Sequence, residues 1–281
     1  MAKQEKQSRR AFLWTAGGLA AGGIGYLALK EKDDPNKPLK DRYPDAASRQ
    51  RVLSELTHDP RVAPVYAHVE ATTYAPRLEA LCVYLQNKIP TLPQELRPGV
   101  QKKLNHYRAL GITLENVAAG ADPAKTNDSL AITDPTGTGM SRVFLTERVF
   151  ESPYVRTLED VKSILYHEGL HAVINRNGPT FGPGAFEKLV RKTGFRSVPL
   201  EVMTNPDFLR ALIEVQVYNK QVYENERGTF KVSPEFRKMI AIAYYPHYQT
   251  LKQHAQQDNV FGWYAKAMLE TIVVHPKVNS K

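Results

Sequence analysis

The stretch that most constrains this chain is Thr157 to Gly178, TLEDVKSILYHEGLHAVINRNG. It places His167 and His171 four residues apart, with Glu168 directly after the first. On an α-helix, side chains at i and i+4 lie one above the other on the same face. Two imidazoles can therefore address one metal ion, with a carboxylate beside them placed to act as a general base toward water. Thr157 and Asp160 have the form of a capping box, with Asp in place of the usual Glu or Gln. Asn177-Gly178-Pro179 is a stop signal, because Gly accepts a left-handed cap and Pro cannot continue the helix.

The surroundings of the motif are apolar. Leu158, Val161, Leu165 and Ala172 fall roughly opposite the histidines on a helical wheel, and Ile164, Leu170 and Ile174 flank them. Such a helix is apolar nearly all round and is expected to be buried. Two histidines and a glutamate inside it need partners, since unpaired buried polar groups are costly, and a metal ion supplies one. Gly169 costs a helix roughly 1 kcal/mol relative to Ala, so close backbone packing is expected there.

Upstream, Ser129–Thr133 and Ser141–Thr146 are the convincing β-favourable runs. They flank Asp134–Gly139, rich in turn formers, so a hairpin is expected; the loop lacks the lysine and following helix of a phosphate-binding loop. Helices are expected at about 45–57, 73–88 (Leu78, Leu81, Cys82 and Leu85 in helical spacing), 93–110, 185–193, 205–224, 233–256 with a bend or break at Pro246, and 261–274. The expected fold class is α+β, mainly helical, with a small β-hairpin against the buried motif helix.

At this point the residues resemble the zincin metallopeptidases, in which an edge strand lies above a buried H-E-x-x-H helix. The resemblance covers about residues 141–178. It implies a Zn2+ cofactor, His167 and His171 as ligands, and Glu168 as the catalytic general base. A catalytic zinc needs a third protein ligand and an open position. The histidine that continues the motif in metzincins is absent, position 177 being Asn. A glutamate from a later helix, as in gluzincins, remains, and Glu187, Glu201 and Glu214 are the candidates. Glu214 is preferred because Phe208–Tyr218 is apolar on nearly every face and its carboxylate should be buried. The competing role for Glu214 is an i,i+4 ion pair with Arg210. His247, Tyr218 and Arg210 are core residues or oxyanion stabilisers, whereas His58, His68, His106, His254 and His275 are expected at the surface.

The amino terminus adds a location. Ser8-Arg9-Arg10-Ala11-Phe12-Leu13 precedes 19 uncharged residues, 11–29. It resembles a twin-arginine export signal, S-R-R-x-F-L-K, with Trp14 in place of the final Lys. No A-x-A cleavage site closes the apolar run, which is about long enough to span a bilayer. Residues 1–29 are thus a signal or membrane anchor, 30–44 a charged, proline-containing linker, and 45–281 one mainly helical domain.

The net charge of +9 is spread: residues 1–40 hold 8 basic against 4 acidic residues, and the remainder 30 against 25. No basic cluster interleaved with aromatics supports nucleic-acid binding. The single cysteine, Cys82, has no disulfide partner in the chain and is expected to act as a small hydrophobe.

Together these features describe an exported zinc metallopeptidase facing the periplasm or cell exterior. Its partners would be peptide or protein substrates of the envelope, the export machinery, and the membrane through residues 11–29 if uncleaved. The alternatives are a metal-binding protein without peptidase activity and a metal-free interaction protein of the envelope.

Overall fold

The computed structural model describes residues 37–274, apart from 76–78, 93, 103, 106–107, 109–129, 136–138 and 195–197. The segment expected to be an export signal or anchor, His106, His275, the tip of the expected hairpin and the end of the helix expected at 93–110 lie outside the described residues. The main elements are α1 (Ala46–Thr57), β1 (Val69–Ala75), α2 (Glu79–Lys88), β2 (Ala131–Pro135), β3 (Ser141–Thr146), α3 (Leu158–Asn177), α4 (Pro183–Thr193), α5 (Pro206–Glu226), α6 (Pro234–His254) and α7 (Val260–Thr271). The protein is mainly helical, with a small three-stranded sheet.

Helix α3 is the motif helix, and its start is fixed as the sequence predicts. Asp160 N–H donates to Thr157 Oγ1 at 3.1 Å, while Asp160 Oδ2 accepts from Thr157 N–H at 2.9 Å. The same carboxylate accepts from Arg156 N–H at 2.8 Å and from Ser233 N–H at 2.7 Å. An aspartate at this position therefore caps α3 and ties its start to the start of α6. The helix ends at Gly178, whose positive φ of 77° is a conformation that Gly adopts without steric cost.

The downstream helices obey the same rules. Asn205 caps α5 by accepting from Phe208 N–H at 3.0 Å, with Pro206 at the first helical position. Ser233 caps α6 likewise, through Phe236 N–H at 3.3 Å. Pro246 lies inside α6, which continues through it to His254 as one helix.

The sheet corrects the sequence reading. Residues 69–75 form a strand, so the helix expected at 73–88 begins only at Glu79. The sheet order is β1-β3-β2: β1 lies parallel to β3, and β2 antiparallel on its other side. The two expected strands do pair, Thr133 opposite Val143. β2 also extends to Pro135, into the expected turn, and its Asp134 is buried against Lys88 Nζ at 3.2 Å. β3 is thus the central strand and β2 the edge.

α3 is buried between the sheet and the carboxy-terminal helices. Val161 and Leu165 pack with Val143, Leu145 and Val149, while Leu170 and Ile174 pack with Val217 of α5. A second core, including Phe208, Leu212, Val215, Tyr244, Tyr264 and Met268, joins α5, α6 and α7. Leu39 and Tyr43, which the sequence places in the linker, are buried in the first core.

Gly169 lies where the 3-10 turn Ala63–His68 crosses α3. A Cβ there would meet the Val65 side chain, with Val65 Cβ at 3.0 Å and Tyr66 Cδ2 at 3.1 Å. Val65 is β-branched and cannot swing clear easily. Gly169→Ala gains up to about 1 kcal/mol of helix propensity but overpacks a core contact at a typical cost of about 1–3 kcal/mol. The expected outcome is a net destabilisation, read as a lower denaturant midpoint; an unchanged or raised midpoint would contradict the close approach.

Candidate metal centre

His167 and His171 face one cavity from successive turns of α3, and Glu214 meets them from α5. The two Nε2 atoms are 3.1 Å apart, and Glu214 Oε2 lies 3.7 Å from His167 Nε2 and 3.5 Å from His171 Nε2. A tetrahedral ion with bonds of about 2.0–2.1 Å spaces its donors about 3.3 Å apart. The three protein atoms therefore sit close to the spacing of one face of such a coordination tetrahedron. They form a group of His, Cys, Asp or Glu side chains able to hold a metal, all ligand atoms within 4.8 Å of one another.

The other two acids considered for the third position are elsewhere. Glu187 is exposed on α4 and pairs with Arg191 at 3.5 Å, and Glu201 is exposed on the single turn Leu200–Thr204. Glu214 does not form the alternative ion pair with Arg210 among the described residues; its carboxylate points to the imidazoles.

The His167 tautomer follows from its neighbours. Gln221 Nε2 donates to Ser163 O at 2.9 Å and to Ser163 Oγ at 3.0 Å. Its Oε1 is thereby turned toward His167 Nδ1, 3.0 Å away, and can only accept. Nδ1 then carries the proton and the Nε2 lone pair faces the cavity, the form that binds a metal. Ser163 in turn donates to Asn225 Oδ1 at 3.1 Å. Glu214, Gln221 and Asn225 stand at i, i+7 and i+11 on one face of α5. The sequence reading missed Gln221; its only signal is a glutamine two turns beyond Glu214 on the same buried face.

Burial acts on the ionisation of the cluster. It depresses the His167 pKa to about 3, with His171 nearby adding to the effect. For Glu214, burial works against the charged form, but the facing histidines, His171 foremost, outweigh it and hold the pKa at about 2. Neutral His167 and ionised Glu214 are the protonation states a cation site requires.

The same shifts set an acid limit on stability without metal. Between pH about 3 and 6.5 the unfolded chain protonates His167 while the folded chain does not. Between about 2 and 4.5 the same holds for Glu214. In both windows the unfolded state binds more protons, so stability rises with pH. The metal-free protein is expected to gain melting temperature as pH is raised from about 3.5 to 6.5 and to level off above; a flat profile there would contradict the buried, neutral His167.

Glu168 points to the opposite wall of the cavity. Thr133 Oγ1 of edge strand β2 lies 2.5 Å from Glu168 Oε2 and 3.1 Å from Glu168 O. β2 thus lies directly beside the motif helix, and it, rather than β3, is the strand at the site. The Tyr218 ring packs on His167 with centroids 4.5 Å apart and stacks toward His247 at 6.3 Å. Burial, together with Glu214 and Glu168, keeps the Tyr218 phenol protonated, its pKa well above the usual value. Burial also lowers the His247 pKa. All these groups line one cavity of about 500 Å³, together with Leu130–Thr133, Arg210, Phe236, Met239, Ile240 and Ala243.

Among the remaining histidines, His58 is exposed, His68 is half-buried near Arg176, and His254 is half-buried between Phe208 and Phe261, not at the surface as expected. Cys82 is half-buried, packed beside the small core of Leu85, Leu104, Ile132 and Phe144. No helix of the described residues is long and apolar enough to cross a membrane. Comparison of the chain with protein-family models, with curated proteins and with solved structures found no match.

Proposed function

We propose that this chain is a zinc-dependent metallopeptidase of the zincin type, exported through its twin-arginine-like leader and facing the periplasm or cell exterior. One observation carries the reading: His167, His171 and Glu214 converge in the same cavity that receives the Glu168 carboxylate. His167, His171 and Glu214 would hold the ion. When bound, zinc supplies Lewis-acid polarisation of the scissile carbonyl and lowers the pKa of a contacting water toward about 7.

The residues of the chain do the rest. Glu168 is the base that accepts the proton of the attacking water and passes it to the leaving amine. Thr133 orients the Glu168 carboxylate from β2. The outer edge of β2, the side away from β3, can accept an extended peptide through main-chain hydrogen bonds, placing a substrate carbonyl over the ligand cluster. Tyr218 is positioned beside His167 to donate to developing negative charge, and its phenol stays protonated for that role.

The test is zinc content and peptide turnover of the purified full chain. The expected result is one zinc per chain and cleavage within a broad peptide library. Stoichiometric zinc without turnover would favour a non-catalytic metal protein. A folded chain that takes up no zinc would refute the proposal.

A further inference from the structure

The cleft is chemically unequal at its two ends. From α5 it is lined by residues 210, 214, 218 and 221, and from α6 by 236, 239, 240, 243 and 247, one face of each helix. The helices run in opposite directions, since Tyr218 stacks toward both Tyr244 and His247 while Phe236 and Ile240 reach the first core with Val222. Phe236, Met239, Ile240 and Ile164 therefore form an apolar end, and Arg210 and His247 the other.

Arg210 is the only permanently cationic side chain among the described residues lining the cavity. It is exposed, and no ion pair or hydrogen bond joins its guanidinium to another described residue. An arginine inside a cleft whose other charged side chains are Glu168 and Glu214 would ordinarily be expected to pair with one of them. Here Glu214 turns to the histidines and Glu168 to Thr133. The guanidinium fork is left for something else.

We propose, resting on the peptidase reading above, that Arg210 selects substrates carrying a carboxylate close to the scissile bond, on the side away from the apolar end. Arg210 stands one turn before Glu214, about 6 Å along the helix axis. An extended peptide covers about 3.3 Å per residue, so the carboxylate falls about two residues from the reacting carbonyl. Two sources share that chemistry: an acidic side chain, or the free carboxyl terminus of a short peptide. A bidentate, charge-assisted guanidinium–carboxylate pair is expected to give about tenfold preference over an uncharged counterpart.

The experiment uses the zinc-loaded full chain. Matched peptides ending in a carboxylate or an amide, and a parallel set with Glu or Gln at each position, are titrated calorimetrically into the Glu168→Gln protein with and without Arg210→Met. Turnover by the wild type is recorded separately. The expected result is a preference of about tenfold for the carboxylate peptide that collapses to near unity in Arg210→Met; the set showing it identifies the source as terminus or side chain. The absence of any preference with Arg210 present, whether through equal binding or no binding, would overturn the proposal, as would a preference that survives Arg210→Met. Carboxylate binding that depends on Arg210 without any turnover by the wild type would sink the peptidase reading and leave the anion site standing.

Discussion

Glu168→Gln is expected to lower kcat by about a thousandfold, within the range of general-base removal, while leaving one zinc per chain. The change replaces one oxygen by an amide nitrogen in a residue that is 7 % exposed. The Thr133 hydroxyl, now at 2.5 Å from Oε2, can still donate to the amide oxygen, so packing and orientation are kept. What disappears is the ability to accept a proton and to return it. The proposed metal ligands are untouched, because Glu168 points toward β2 and not into the His167–His171–Glu214 triangle. Parallel measurement of zinc content and kcat therefore separates loss of chemistry from loss of the ion. Retention of kcat within tenfold would remove Glu168 from the role of base, and loss of zinc would make it a ligand.

The legibility of this arrangement differs element by element. Helix α3 could be read to its ends because its signals are local: a Thr157–Asp160 capping box, a Gly178 stop and an apolar surround. Glu214 could be nominated because the apolar run around it leaves a carboxylate nowhere to go but inward, and Glu187 and Glu201 lie in segments that allow exposure. β1 was not legible in the same way. Its partner residues lie more than 70 positions away, Val69 opposite Ser141, and its burial does not alternate along the strand. Only the β-favouring run Thr72-Thr73-Tyr74 hinted at it. Missing β1 also hid which strand is central. The Gln221 relay escaped for a related reason. A hydrogen-bonding glutamine on a buried helix face has no spacing rule tying it to a histidine 54 residues earlier.

That relay permits a graded experiment on the metal itself. Glu214→Ala removes the one proposed ligand that comes from outside α3 and leaves two imidazoles, too few to hold a catalytic zinc against competing chelators. Zinc is expected to be lost on dialysis, and with it the thermal stabilisation that ligand binding confers on the folded state. Gln221→Leu leaves all three ligand atoms in place but removes the acceptor that fixes His167 Nδ1–H. Its expected effect is a smaller one, a fall in zinc affinity of about 10- to 100-fold, the usual cost of deleting a partner of a ligating histidine. Gln221→Glu should restore most of it, because a carboxylate accepts the same proton even though it cannot donate to Ser163. Competition with a chelator of known affinity orders the three variants. An order of Gln221→Glu, Gln221→Leu, Glu214→Ala, from tightest to weakest, is what a three-ligand site steadied from α5 requires. Equal affinity in Glu214→Ala and the wild type would mean that the ion is held by other groups, and that the closeness of Glu214 to the two histidines is an ordinary buried contact.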